Sequence, residues 1–218
     1  GIYNIERSVD MLDQLSNALE VDSFFLAGNS MGGYISWNFA LAHPDKVKRL
    51  ILIDSAGYEF EKPMLLGLLS TPVLKDSMAF MTPKFIVSQT LSEVYGDSSK
   101  VKDETIERYH QLMLREGNRT AVVSVFASIS EIANDGIKQI KIPTLVQWGE
   151  KDAWIPLAHA QNFVDDIEGA KLITYPGIGH VPMEELPQQT AQDAKDFLLY
   201  VIEEPQEIKP TQVIPVVL

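Results

Sequence analysis

Residues 28–33 read Gly28-Asn29-Ser30-Met31-Gly32-Gly33, a Gly-x-Ser-x-Gly set between the apolar run Phe24-Phe25-Leu26-Ala27 and a helical pattern from Tyr34 to Ala42. A strand that becomes a helix within so few residues must bend sharply, and the bend lifts a serine Oγ clear of the sheet as a nucleophile elbow. Gly28, Gly32 and Gly33 are expected to press so closely on the neighbouring strand and helix that a Cβ would clash. Glycine and serine are common in loops, so the motif gains its weight from the flanking strand and helix.

The rest of the chain fits around that turn. Ile5, Val9, Leu12, Leu15 and Leu19 have helical spacing, with Asn4 as N-cap. Four short apolar runs read as buried strands: Ser23–Ala27, Arg49–Asp54, Thr144–Gly149 and Lys171–Tyr175. Helical patterns at Met31–Ala42, Pro156–Ile167 and Pro187–Ile202 separate or follow them, which predicts an α/β fold with a parallel sheet covered on both faces. From about Tyr58 to Lys141 the alternation stops. Helical segments at Met64–Leu69, Pro83–Tyr95, Asp103–Arg115 and Arg119–Ala133 predict a helical cap inserted over the C-terminal ends of the strands, where open α/β sheets place their sites. The expected division is residues 1–57 for the first part of the core, 58–141 for the cap, 142–203 for the second part of the core, and 204–218 for an extended tail marked by Pro205, Pro210 and Pro215.

Composition removes several alternatives. A chain of 218 residues, 45% hydrophobic and 22% charged, suits one soluble α/β domain with an insertion. A formal net charge of −12 argues against a nucleic-acid partner, because phosphate binding runs on clustered Lys and Arg. The absence of cysteine excludes disulfides, thiolate zinc sites and a cysteine nucleophile. The longest apolar stretch, Met64–Leu74, is too short to span a bilayer, and cap packing explains it better than an interfacial lid. With no signal-peptide pattern in view, the expected location is cytoplasmic.

A serine hydroxyl needs a base, and the base needs an orienting carboxylate. Of four histidines, His43 has a helix-stop role, and His110 and His159 read as packing or surface residues. His180 instead sits in the tight loop Gly177-Ile178-Gly179-His180-Val181-Pro182, directly after a buried strand. It is the candidate base. Asp152, in the loop after Thr144–Gly149, is the candidate carboxylate, with Asp54 and Glu150 as rivals.

Gly28–Gly33, His43-Pro44-Asp45-Lys46-Val47 leading into Leu50-Ile51-Leu52-Ile53-Asp54, Trp148–Asp152 and Gly179-His180-Val181-Pro182 together resemble the α/β-hydrolase fold superfamily. The likeness is to its capped serine esterase and carbon–carbon bond hydrolase branch. It implies Ser30 as nucleophile, His180 as base and then acid, Asp152 as its partner in the order Ser, Asp, His, and the Met31 backbone N–H as one oxyanion-hole donor. No cofactor and no metal are implied. The leading substrate class is a small-molecule carboxylic ester or related acyl compound, hydrolysed through an acyl-serine. The alternative is carbon–carbon cleavage of ring-fission dienoates, although such enzymes usually carry tryptophan after the histidine where Val181 stands here. Substrate choice is expected to lie with Met78, Phe80, Met81, Phe85 and Phe126.

The resemblance also implies strands ahead of Ile5–Leu19 and a second oxyanion donor from among them. The chain therefore reads as the C-terminal part of such a sheet, with the strand before Ser30 as an open edge suited to self-association. One missing oxyanion donor costs on the order of 10²–10³ in turnover. A non-catalytic or impaired relative is accordingly the competing class.

Overall fold

The computed structural model describes residues 3–60, 83–128, 134 and 136–199. The expected helix Met64–Leu69, the stretch Met64–Leu74, residues Met78, Phe80 and Met81, and the tail lie outside these residues, as does the Phe126 side chain.

The described elements are α1 (Ile5–Ala18), β1 (Phe24–Asn29), α2 (Met31–Ala42), β2 (Val47–Ile53), α3 (Lys84–Val94), α4 (Asp103–Leu114), α5 (Asn118–Ser128), β3 (Thr144–Gly149), α6 (Ala158–Asp166), β4 (Lys171–Tyr175), α7 (Pro182–Glu185) and α8 (Pro187–Leu199). The strands form one sheet in the order β1-β2-β3-β4, and all three pairings are parallel. Ladder register places Asn29 opposite Ile53, Ile53 opposite Gln147, and Gly149 opposite Tyr175. The four strands thus deliver their C-terminal loops to one edge of the sheet.

Alternation along the strands divides the core. Leu50, Leu52, Val146 and Trp148 face α1, α2 and α6, packing with Val9, Trp37, Phe39, Phe163 and Ile167. Their neighbours Ile51, Ile53, Leu145 and Ile173 face the other way, against Ala194, Phe197 and Leu198 of α8. Successive strand residues point to opposite faces, so a strand covered on both sides becomes continuously apolar; every residue of β3 is buried. Each fully buried aliphatic side chain contributes about 1.5–3 kcal/mol relative to exposure.

Helix ends follow local chemistry. Asn4 caps α1, its side-chain oxygen accepting from the Arg7 N–H at 2.9 Å. Lys46, just before β2, donates to Asp13 and Asn17 at 2.7 Å each, anchoring α1 from below. The apolar stripe of α1 is only partly covered, however. Ile5, Val9 and Leu12 meet the core, whereas Leu15 and Leu19 remain 53% and 63% exposed. Nor does β2 run as far as Asp54: its backbone turns there to φ 41°, which ends the strand at Ile53. Among the described residues, no helix is long and apolar enough to cross a membrane.

Candidate active site

Ser30 follows β1 directly, at φ 55° and ψ −118°. A non-glycine residue in such a conformation stores about 1–3 kcal/mol of strain and persists only where its surroundings hold it. Here they do: its N–H donates to Ile53 O at 2.9 Å, and its carbonyl accepts from Tyr34 and Ala56, each at 3.1 Å. The side chain makes no capping bond to α2, so the hydroxyl is not consumed by the helix. Met31 opens α2, and a first-turn N–H of this kind has no partner within its own helix.

The elbow glycines are not equivalent. A Cβ on Gly28 would collide with the Gly32 carbonyl and Ser36 Oγ, and one on Gly33 with the Ser55 side chain. Gly32 differs from expectation. A Cβ there would meet nothing within 4 Å, while the close approaches fall on Gly28 and Gly33.

Asp152 and His180 come from the loops after β3 and β4. Asp152 Oδ2 lies 2.7 Å from His180 Nδ1, and these side chains are 0% and 4% exposed. Oδ1 of Asp152 accepts from the N–H groups of Trp154 at 2.7 Å and Ile155 at 3.0 Å, so the carboxylate is fixed by its own loop before it meets the imidazole. An imidazole that donates from Nδ1 to Asp152 keeps its lone pair on Nε2, an atom that is buried and has no hydrogen-bond partner among the described residues. The Trp154 ring lies against the imidazole at 5.4 Å between centroids.

His180 is also held by its backbone. Its N–H donates to Val94 O at 2.7 Å, and its carbonyl accepts from Asn29 Nδ2 at 3.0 Å. The same amide group donates to Ile53 O at 3.1 Å. Asn29, immediately before Ser30, therefore draws the histidine loop onto the elbow. Glu185 reinforces this from behind, accepting from the N–H groups of Gly179 at 2.7 Å, Gly96 at 2.9 Å and Asp97 at 3.4 Å. Beside it, Glu184 accepts from the hydroxyls of Tyr95 and Tyr109 and from Arg108. Burial first, and the Glu184 bond second, push the Tyr109 phenol up to about 12. Sequence reasoning singled out neither Asn29 nor Glu185, since each acts on residues remote from its own local pattern.

The remaining candidates separate cleanly. Glu150 is exposed and accepts from Thr174 Oγ1 at 2.8 Å, turned toward β4. Asp54 is fully buried, next to Asp152. His43 closes α2, lies against Phe39 at 4.7 Å and stands 3.6 Å from Asp13. His159 is buried against Tyr58 at 5.5 Å, and burial lowers its basicity. Asp54, Asp152 and His180 are the cluster of metal-ligand type among the described residues, but Asp152 Oδ2 and His180 Nδ1 already engage each other.

A family model described as the α/β hydrolase fold matches residues 2–187. The chain is 31% identical over 204 residues to a 2-hydroxymuconate semialdehyde hydrolase of Pseudomonas sp. (strain CF600), covering 90% of this chain and 69% of that protein. Among solved structures, it resembles a thermophilic esterase from Thermogutta terrifontis, with TM-score 0.76 and 25% identity over 91% of this chain and 73% of the other. The carbazole-degradation serine hydrolase CarC gives TM-score 0.77 and 24% identity, covering 91% and 72% respectively, a likeness of fold.

Proposed function

This chain belongs to the α/β hydrolase fold family, a family of hydrolytic enzymes, and on that premise we propose that it cleaves a carbonyl compound through Ser30, with His180 as base and Asp152 as its orienting partner. The observation that carries this reading is the 2.7 Å Asp152–His180 contact, which leaves Nε2 unengaged at the sheet edge that also presents the strained Ser30. Nε2 removes the Oγ proton as Ser30 attacks the carbonyl carbon, and the Met31 N–H at the start of α2 faces the developing oxyanion. His180 then returns the proton to the leaving group. Water repeats the sequence on the acyl-serine and regenerates the free hydroxyl. No metal or cofactor takes part in these steps. The helices α3–α5 are read as the cap over this site.

Two substrate classes fit a carbonyl-directed serine. Relatives of this chain include hydrolases of 2-hydroxymuconate semialdehyde and of 2-hydroxy-6-oxo-dienoates, which supports carbon–carbon cleavage of a ring-fission dienoate. A carboxylic ester is the second reading, supported by the structural likeness to the Thermogutta esterase and by Val181, rather than tryptophan, after His180. Short p-nitrophenyl esters and a ring-fission dienoate, assayed side by side, divide the two. Labelling by a fluorophosphonate tests the mechanism they share: adduct formation at Ser30 is expected. Folded protein that resists the probe and hydrolyses neither substrate would overturn the proposal.

A further inference from the structure

Asp54 leaves β2 in a left-handed backbone conformation with its side chain fully enclosed. Its Oδ1 accepts from the Gly149 N–H at 2.9 Å, but its buried Oδ2 meets no donor among the described residues. Asp152 stands opposite: one oxygen of each carboxyl and a ring nitrogen of His180 fall within 4.8 Å of one another. Two carboxyl groups this close and this dry do not both ionise, so one proton is retained between them.

The surroundings decide where it sits. Among the described residues, Asp152 is faced by two backbone N–H groups and by His180 Nδ1, and Asp54 by the Gly149 N–H alone. The charge belongs on the better-served Asp152. A proton on Asp54 also turns the orphaned Oδ2 from an unsatisfied acceptor into a donor, with Asp152 in reach as acceptor. We propose that Asp54 is a positioning residue, a neutral carboxylic acid that donates to Asp152 and holds it against His180, the two carboxyls sharing a single negative charge.

The electrostatics agree with that geometry. Burial first and the Asp152 charge second push the Asp54 carboxyl well above the usual carboxylate range, while the Gly149 N–H pulls the other way. The titratable groups facing the pair are His180, Glu185, Tyr175 and His159. Glu185 is engaged with backbone N–H groups and the Tyr175 hydroxyl with Asp193, so neither supplies Oδ2 with a donor.

The inference rests on Asp152 and His180 working as a pair, but its first readout requires no turnover. Infrared difference spectra of wild type against Asp54→Asn at pH 7 are expected to show the loss of a protonated-carboxyl band; loss of an ionised-carboxylate band alone overturns the proposal. The second readout is kcat/KM against pH. Asp54→Asn keeps an acceptor for Gly149 and a donor for Asp152, so activity within about threefold of wild type and an unmoved acid limb are expected. Asp54→Ala lacks both and is expected to lose about 10–100-fold in kcat with KM little changed. An acid limb displaced downward by about half a unit or more in Asp54→Asn means that a negative charge was removed, and overturns the proposal. Equal impairment of both variants, or of neither, does so too. Should Asp54→Ala fail to fold, the spectrum and the acid limb decide. If Ser30→Ala retained full turnover, the proposed reaction would fall while the spectrum still tested Asp54.

Discussion

The amide of Asn29 reaches across the sheet edge to the backbone carbonyl of His180, 151 positions later in the chain, at 3.0 Å. The residue that precedes the elbow serine thereby fixes the loop of the histidine that faces Asp152. Elbow and histidine loop are held together through a single side-chain amide.

Removing the hydroxyl is the most direct test of the site. Ser30→Ala is expected to abolish fluorophosphonate labelling and lower turnover by about 10⁴–10⁶-fold, with the circular dichroism spectrum unchanged. Turnover within tenfold of wild type would place the reaction elsewhere.

Glycine substitutions at the elbow should divide by position. Gly28→Ala drives a methyl into the Gly32 carbonyl and is expected to cost about 1–3 kcal/mol or to prevent folding. Gly32→Ala meets open space in the first turn of α2 and is expected to be neutral, or to stabilise by up to about 1 kcal/mol. Denaturant midpoints of the two proteins check the contrast, and equal destabilisation would contradict it.

Glu185 accepts from backbone N–H groups on both sides of the junction between α3 and the histidine loop. Glu185→Ala leaves those donors unsatisfied and is expected to destabilise the fold by about 1–3 kcal/mol. Activity should fall further than the unfolded fraction explains, because His180 loses its support. Comparison of kcat at a temperature where the variant is fully folded tests this.

Asp54 gives the fold a defined response to pH. Burial and the neighbouring Asp152 charge hold its folded-state pKa above the ordinary aspartate value of 3.8 that the unfolded chain approaches. As pH rises past that value, the unfolded state releases this proton and the folded state keeps it, so Asp54's contribution to stability falls with pH. Asp54→Asn cannot release a proton in either state. Its stability relative to wild type is therefore expected to rise between pH 4 and pH 7, as read from urea midpoints; a difference independent of pH would count against it.

Self-association is expected through β1. Among the described residues this strand pairs on one side only, and Phe25 on it is 46% exposed. Met11 and Leu15 of α1, and Leu19 just beyond its end, are exposed as well. An open strand edge with apolar neighbours favours pairing with another chain. Sedimentation should show species heavier than 24.4 kDa that decline in Phe25→Lys. A monomer at every concentration would remove the expectation.

Much of this arrangement is legible in sequence because it is written locally. The span Met31–Ala42 lies between a turn-forming serine and His43-Pro44, so its helix has definite ends, and β3 and β4 are bounded by Pro143 and Gly169 just before them and polar loops just after. The bounds of β2 shift because pairing with β1 extends it back to Val47 and the left-handed Asp54 cuts it short, and neither effect is local. Gly32 misled for a related reason: whether a Cβ has room depends on which neighbours approach, and the nearest contacts go to Gly28 and Gly33. Asn29 and Glu185 carry no local signal, since a polar side chain beside a turn looks the same whether or not a distant backbone awaits it.

The packing behind His180 has a mechanical consequence. Gly96, Gly149 and Gly179 sit so close that a side chain on any one would strike another's loop, and the His180 N–H is bonded to the last residue of α3. Hence the end of α3 and the histidine loop are joined by direct packing and a backbone hydrogen bond. Swinging that end of the helix outward would break this bond or draw His180 along with it. The position of the helix end and the placing of the imidazole are thereby coupled at this corner of the fold.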